Sequence, residues 1–202
     1  ITQFYGLAGS ATSGVLYGGT QDNGTVVYSP VNGANAWKYS DGGDGGAAAA
    51  DPTNPNYFYG EYIYAQVYRS SNGGVSGDYI YGVYWDGTQW TCRAAPYRID
   101  DACNSEASFI APFILDPNNA NRLLVGGRSL WVTNDARTPH IWNHPTAGPQ
   151  WAVIKPAIRT TNMTAIAVAP GNSNIIWEGY ADGRIDMTTN GGTNWARVDT
   201  II

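Results

Sequence analysis

Charged side chains are scarce in this sequence, and so are histidine, methionine and cysteine. Only 13% of the 202 residues are Asp, Glu, Lys or Arg, and there are two His, two Met and two Cys. The net charge is −5 and no cluster of Lys and Arg occurs, which argues against nucleic acid or an anionic membrane as partner. No apolar run reaches the about 18–20 residues of a membrane-spanning helix. We therefore expect neither nucleic-acid binding nor a membrane span.

The sequence also lacks an initiator methionine and a signal peptide. We therefore expect the chain to be a processed or excised piece of a longer precursor. Its two cysteines, Cys92 and Cys103, lie 11 residues apart in one irregular segment. A local disulfide would fit an oxidising, extracellular compartment, and two free thiols are the alternative because spacing alone does not exclude them.

Glycine and aromatic residues are abundant by contrast. The chain has 25 Gly, 14 Tyr and 8 Trp, and it has no long run with the 3.6-residue period of an amphipathic helix. Turn-forming and aromatic residues in this proportion are typical of an all-β protein.

One sequence pattern, a strand followed by a tight turn, occurs four times. In its clearest copy, at 185–195, an alternating strand meets the turn Asn190-Gly191-Gly192, and Trp195 opens the next strand. Such Asn-Gly and Gly-Gly pairs adopt the positive φ angles that a short hairpin loop requires. Weaker copies occur at 27–37, 67–74 and 130–142. We expect the strand after each turn to begin near Trp37, Trp85, Trp142 and Trp195.

A second sequence pattern precedes each of these turns. It consists of two short apolar strands joined by a Pro/Asn turn. It occurs around Asp51-Pro52, Asp116-Pro117 and Ala169-Pro170, with a degenerate copy at 4–18. Each unit then has four strands, A to D, and units of about 40–50 residues with four antiparallel strands are typical of a β-propeller. We predict four blades at about 1–45, 46–110, 111–160 and 161–202, with an insertion at 76–107 that holds both cysteines.

The segment from Thr188 to Trp195 resembles a known repeat. It is similar to the Asp-box, or BNR, repeat of sialidase-like, sortilin-like and xyloglucanase-like propellers, which runs Ser/Thr-x-Asp-x-Gly-x-Thr-Trp. Asn replaces the usual Asp in three copies, whereas Asp135 keeps the acid. Members of these families usually close rings of more than four blades. The resemblance therefore implies that the four blades are part of a larger ring, completed by further blades or by a second chain.

The strand order of a blade decides which loops can share a site. The A–B and C–D turns lie at one end, and the B–C loops and the D-to-A links between blades lie at the other, here called the B–C end. We interpret the recurrent turn residues as structural and expect a polar ligand, such as a sugar or a peptide, at the B–C end. Ordinary solvated loop polarity is the alternative. The candidate ligand-binding residues are Gln21, Asn23, Glu61, Tyr62, Tyr64, Arg128, Arg159, Tyr180, Asp182 and Arg184.

Two acidic loops suggest a catalytic alternative. The segment 16–25 resembles the loop of xyloglucanase-type hydrolases that carries one catalytic carboxylate, with Asp22 at the matching position. The segment 40–46 loosely resembles the loop that carries the other, which falls on Asp44. In those enzymes the two acids come from separate halves of a larger protein, whereas here both belong to the surroundings of one blade. Glycoside hydrolysis requires carboxyl groups about 5–5.5 Å apart for retention or about 6.5–9.5 Å apart for inversion.

No cofactor is expected. Calcium bound by the Asp/Gly-rich loops is a weaker alternative, and a zinc site at His140 and His144 is not expected because no cysteine is near them. The leading hypothesis is a secreted, non-catalytic propeller segment that binds a carbohydrate or an extracellular protein. A glycoside hydrolase that uses Asp22 and Asp44 is the second hypothesis, and a purely structural piece of an extracellular assembly is the third.

Overall fold

A computed structural model describes residues 2–199 of the chain. Its regular structure is almost entirely β-strand: four sheets have four strands each, and one further hairpin has two. The helical elements within 2–199 are a 3₁₀ turn at Pro30–Asn32 and a short helix, α1, at Asp100–Cys103. The predicted all-β class, with four four-stranded antiparallel sheets, is confirmed.

Each four-stranded sheet is an antiparallel meander in which the spatial order of the strands equals their sequence order. These sheets are called blades 1 to 4, and the strands of each are A to D. Blade 1 contains β1 (Phe4–Gly9), β2 (Leu16–Thr20), β3 (Gly24–Tyr28) and β4 (Trp37–Asp41). Blade 2 contains β5 (Ala48–Ala50), β6 (Phe58–Glu61), β7 (Val67–Ser70) and β8 (Asp78–Tyr79).

The second half of the chain repeats this arrangement after an insertion. The insertion contributes the hairpin β9 (Val83–Trp85) and β10 (Trp90–Cys92) and then α1. Blade 3 contains β11 (Phe113–Leu115), β12 (Leu123–Gly126), β13 (Leu130–Thr133) and β14 (Ala152–Lys155). Blade 4 contains β15 (Met163–Ala169), β16 (Asn172–Tyr180), β17 (Ile185–Thr188) and β18 (Ala196–Arg197).

The A strands of consecutive blades lie side by side. Strand β1 contacts β5, β5 contacts β11, and β11 contacts β15. The D strands lie at the opposite edge of each sheet. The blades therefore fan out from the line of A strands.

Both faces of an internal blade are apolar because each packs against a neighbour. Successive side chains of a strand point to opposite faces, so Leu123 of β12 faces blade 2 while Leu124 faces blade 4. Leu123 joins a cluster with Tyr59 of blade 2, and Leu124 joins a cluster with Ile176 of blade 4. This two-sided burial explains the continuous apolar run of β12.

A tyrosine-rich cluster joins blades 1 and 2. Tyr17 and Val27 of blade 1 pack against Phe58 and Tyr68 of blade 2. The ring centroids of Tyr17 and Phe58 are 5.2 Å apart. Many aromatic side chains of the sequence therefore pack between neighbouring blades.

Two of the four tryptophans expected to open outer strands do not do so. Trp37 opens β4, and Trp195 directly precedes β18. The D strand of blade 2 is β8, which ends before Trp85, and Trp85 belongs to the separate hairpin. The D strand of blade 3 begins ten residues after Trp142, because a long C–D connection intervenes. The insertion therefore begins after β8 rather than at residue 76.

The two terminal blades each have one face without a neighbouring blade among residues 2–199. On blade 1, Phe4, Leu7 and Trp37 are exposed, and the rings of Phe4 and Trp37 have centroids 5.8 Å apart. On blade 4, Trp177 is exposed opposite Ala167, on the side away from buried Ile176. Both faces are apolar.

Within the described part of the chain, no helix has the length and hydropathy needed to cross a membrane.

Candidate ligand-binding site

The Asn-Gly turns lie at the end of the blades opposite the candidate residues. In blade 4, Thr188 Oγ1 donates to Asn190 Oδ1 at 2.9 Å and accepts the N–H of Gly192 at 3.1 Å. In blade 2, Ser70 Oγ donates to Asn72 Oδ1 at 2.8 Å and accepts the N–H of Gly74 at 3.0 Å. These polar side chains are used inside their own turns, which supports a structural role for them.

The link between blades 1 and 2, residues 42–47, lies at the B–C end. It lies between the B–C loops of both blades, because Gly45 N–H donates to Thr20 O at 2.9 Å and Gly46 N–H donates to Glu61 O at 2.7 Å. A Cβ atom on Gly19 would clash with the backbone of Gly46, so only glycine permits this close approach. The glycine-rich composition of the link thus allows two blades and their connection to meet.

Asp22 and Asp44 meet at this link. The backbone N–H of Asp22 donates to Asp44 Oδ1 at 3.0 Å. Asp22 has a left-handed φ of 59°, and its side chain is exposed. The two acids that the sequence resemblance singled out are therefore neighbours, although their catalytic role stays a prediction.

Three further candidate residues border the two aspartates. The half-buried ring of Tyr62 lies so close to Gly43 that a Cβ atom at Gly43 would clash with it. Asn23 Nδ2 donates to Gln21 O at 2.8 Å, and Gln21 is exposed. Tyr62, Gln21 and Asn23 thus surround the acidic pair with one aromatic and two amide side chains.

Glu61 is too deeply buried to contact a ligand in this conformation. Its Oε1 accepts the N–H groups of Ala65 at 3.0 Å and Ala111 at 2.8 Å, and its side chain has no exposed surface. Burial raises the pKa of Glu61 to about 8, and the backbone hydrogen bonds partly oppose the shift. The carboxyl group ties the B–C loop of blade 2 to the start of blade 3, so we correct its predicted role from ligand binding to positioning.

Tyr64 lies on the neighbouring loop. Its φ is 51°, and its N–H donates to Phe109 O at 3.1 Å. The rings of Tyr64 and Phe109 meet edge to face with centroids 5.6 Å apart. Phe109 is exposed, so this pair adds aromatic surface to the B–C loop of blade 2.

Four of the predicted ligand residues, three arginines and one aspartate, are engaged in ion pairs. Arg128 pairs with Glu106 at 2.5 Å, and Arg159 pairs with Asp182. Arg184 Nε donates to Asp186 at 2.8 Å. Arg128, Arg159 and Asp182 are partly exposed at the B–C end. Each can contact a ligand only while it also binds its ion-pair partner.

Tyr180 is buried and belongs to the interface between blades 3 and 4. Its hydroxyl donates to Glu178 Oε1 at 2.8 Å, and Glu178 also accepts a hydrogen bond from Lys155. Burial raises the pKa of Tyr180 to about 12. We therefore correct its predicted role in ligand binding, because its hydroxyl is used inside the protein.

Asp41 belongs to the same acidic segment as Asp44, although it is not among the predicted catalytic or ligand-binding residues. It lies three residues before Asp44, and burial raises the pKa of its carboxyl group, against an opposing hydrogen bond from the Gly42 N–H. The phenol of Tyr79 is next to it. A raised pKa is the direction of shift that general-acid catalysis requires of a carboxyl group. Only the packing of blade 2 against Asp41 reveals this property.

The described residues show no ready-made metal site. Within 2–199, no group of three His, Cys, Asp or Glu side chains is placed to hold a metal ion. Cys92 and Cys103 are joined by a disulfide bond that ties β10 to α1.

The fold is similar to those of three solved proteins. The crystal structure of an ancestral GH74 enzyme matches with a TM-score of 0.63 and 18% identity, over 97% of this chain and 24% of that chain. Saccharomyces cerevisiae Sqt1 matches with a TM-score of 0.56 and 8% identity, over 96% of this chain and 46% of that chain. The computationally designed Ika4 protein matches with a TM-score of 0.50 and 12% identity, over 92% of this chain and 90% of that chain.

These likenesses concern the fold alone. No protein-family model matches the sequence, and no curated protein matches it either. The chain spans 24% of the length of the GH74 enzyme and 46% of the length of Sqt1. Its four radially arranged meanders and its likeness to the GH74 propeller show that this chain has the all-β, β-propeller fold.

Proposed function

We propose that this chain is the carbohydrate-binding segment of a secreted BNR-type β-propeller, and that the glycan binds at the B–C end beside the link between blades 1 and 2. The observation that carries the proposal is the meeting of Asp22, Asp44 and Tyr62 around one glycine-rich link. Carboxylate and amide groups can bind sugar hydroxyls, while an aromatic ring can stack on the apolar face of a pyranose. The likeness to a GH74 enzyme supports the choice of a glycan as ligand.

The proposal includes the completion of the ring. The exposed apolar faces of blades 1 and 4 favour covering by further blades or by a second chain, since a large apolar face is normally covered. The disulfide between Cys92 and Cys103 supports an extracellular location, because such bonds persist in oxidising compartments.

Calorimetric titration with a soluble xyloglucan oligosaccharide and with a β-glucan oligosaccharide tests the binding site. We expect Tyr62→Ala to weaken the affinity about tenfold, and we expect Asp44→Asn to weaken it as well. The matched control is Trp37→Ala, which removes an exposed ring from the far face of blade 1 and should leave the affinity unchanged. Binding of a purified extracellular protein but of no glycan would favour the protein-binding alternative.

A glycoside hydrolase is the second candidate function. It is favoured by the direct hydrogen bond between the Asp22 backbone and the Asp44 carboxylate, and by the raised pKa of nearby Asp41. The measurement is the release of reducing ends from xyloglucan. Asp22→Asn and Asp44→Asn should each abolish turnover, whereas Asp78→Asn, at an exposed residue of β8 outside the site, should retain it. Glycan binding without any turnover would contradict the hydrolase function and support the non-catalytic one.

A further inference from the structure

Three tryptophans lie near one another on the outer edge of the propeller, away from the B–C link; Trp90 and Trp142 are exposed and Trp85 is half-buried. Trp85 and Trp90 face each other across the hairpin β9–β10, with ring centroids 5.9 Å apart. Trp142 comes from the C–D connection of blade 3, and its carbonyl accepts the Trp85 N–H at 2.6 Å. Trp90 is 58% exposed and Trp142 is 55% exposed. These three residues are called the aromatic patch.

The aromatic patch is held rigidly from beneath. Buried Arg93 follows the hairpin, and its guanidinium donates to Val83 O at 3.0 Å and to Ile141 O at 2.9 Å. It therefore joins the hairpin to the connection that carries Trp142. The hairpin loop is fixed by Asp86, whose Oδ1 accepts the N–H of Thr88 at 2.8 Å. A backbone fixed in this way reduces the conformational entropy that is lost when a ligand binds.

The segments that carry the patch present almost no charge. Within 83–92 and 140–146, Asp86 is the one acidic or basic side chain apart from two histidines, and its two oxygens accept hydrogen bonds from neighbouring residues. Burial lowers the pKa of His140 to about 4, so its ring is neutral at physiological pH. A nearly neutral surface offers no attraction to a charged polymer or to an anionic membrane.

We propose that the aromatic patch is a second glycan-binding surface, which holds a neutral polysaccharide chain by stacking of pyranose rings on Trp90 and Trp142. The apolar C–H faces of pyranose rings match exposed indole faces. Thr88 and Gln89, in the hairpin loop between Trp85 and Trp90, supply groups that can hydrogen bond to sugar hydroxyls. The inference depends on the proposed carbohydrate-binding function but assigns a different surface from the B–C end.

Hairpin stability alone does not account for the patch. A cross-strand pair such as Trp85 and Trp90 stabilises its own hairpin. Trp142 lies outside that hairpin, on a separate connection, and more than half of its surface is exposed although burial would favour folding. A ligand that covers both Trp90 and Trp142 explains why each ring is presented to solvent.

Depletion binding to insoluble cellulose, with variants made in the full chain, tests this surface. We expect Trp90→Ala and Trp142→Ala each to weaken adsorption about two- to tenfold, and the double variant to weaken it further. Trp90→Phe should retain most of the adsorption because it keeps an aromatic face. Trp37→Ala is the control for loss of an exposed indole elsewhere. Unchanged thermal melting of each variant establishes that the fold is retained.

The B–C end and the patch can fail separately. Tyr62→Ala serves as the comparison, with oligosaccharide binding measured by titration and polymer adsorption measured on cellulose. If Trp90→Ala and Trp142→Ala adsorb like the unmodified chain while Tyr62→Ala loses oligosaccharide binding, the patch proposal is wrong and the B–C end stands. If the tryptophan variants alone lose adsorption, the patch stands and the B–C end fails. If the unmodified chain binds neither glycan, both proposals are overturned.

Discussion

The carboxyl group of Glu61 accepts the backbone N–H of Ala111 at 2.8 Å, which joins the second blade to the beginning of the third. The same oxygen accepts the N–H of Ala65 at 3.0 Å. This buried group therefore positions the loop that carries Tyr62 and Tyr64, next to the proposed glycan site, without reaching a ligand itself.

The first prediction concerns the pH dependence of stability through Glu61. Its pKa is raised from 4.5 to about 8 in the folded chain, so between these values the folded state binds one proton more than the unfolded state. The contribution of this group to the free energy of unfolding is therefore fully present below pH 4.5 and falls as the pH rises to about 8. The slope approaches about 1.4 kcal/mol per pH unit.

Denaturant unfolding of the unmodified chain and of Glu61→Gln at several pH values between about 5 and 8.5 isolates that slope as the difference between the two, since the lowered pKa of His140 contributes a slope of opposite sign below about pH 6.5 in both. Glu61→Gln should remove it, because the amide does not titrate in this range. The control is Glu106→Gln, which changes a partly exposed carboxylate paired with Arg128 and should leave the slope unchanged. Identical slopes for the unmodified chain and for Glu61→Gln would contradict the prediction.

The second prediction concerns Lys155, which lies between Glu178 and Asp186 in the interface of blades 3 and 4. All three side chains are buried, and Arg184 pairs with Asp186 at 2.8 Å. Burial lowers the pKa of Lys155, and Asp186 partly opposes the shift. Lys155→Met should destabilise the fold by about 3–5 kcal/mol, because it leaves a buried carboxylate without its counter-charge.

The matched variant for this network is Lys155→Met combined with Glu178→Gln. It removes one charge of each sign and leaves the Arg184–Asp186 pair intact. Urea unfolding should therefore show the double variant to be more stable than Lys155→Met alone. A double variant that is no more stable than the single one would show that packing, rather than charge balance, determines the loss.

Much of the fold could be predicted from the sequence, because turn chemistry and apolar alternation are local signals. The Asn-Gly turns and the Asp-Pro turns indicated the meanders, and Trp37 and Trp195 were placed near the correct outer strands. Trp85 and Trp142 were misplaced because hairpin and connection lengths depend on tertiary contacts such as those of Arg93. No local pattern distinguishes a tryptophan that opens an outer strand from one in an insertion.

The site was predictable in its location but not in its chemistry. Strand order alone placed Asp22 and Glu61 at one end. Sequence could not show that Glu61 is buried between blades while Asp22 remains exposed, because burial depends on how the next blade packs. The raised pKa of Asp41 arises in the same way, from packing of the second blade.

The third prediction concerns the turn of blade 4. The buried hydroxyl of Thr188 accepts two backbone N–H groups and donates to Asn190. Thr188→Ala should cost about 1–3 kcal/mol in denaturant unfolding, since buried donors lose their partner. Thr188→Ser should retain most of the stability. Ser29→Ala is the control in blade 1, where the serine makes no side-chain capping bond; an equal loss there would contradict the assigned hydrogen-bonding role.

The last prediction concerns the outer faces of the terminal blades. Leu7 is 56% exposed on blade 1, and Trp177 is 36% exposed on blade 4. Because apolar faces of this kind associate in water, the chain of residues 1–202 on its own should bind a hydrophobic dye and self-associate as its concentration rises. Leu7→Lys and Trp177→Lys should each reduce both effects, measured by dye fluorescence and light scattering. Val75→Lys places the same charge at an exposed residue of blade 2 and should leave association unchanged. A monomeric chain that binds no dye would show that neither face requires a neighbouring blade.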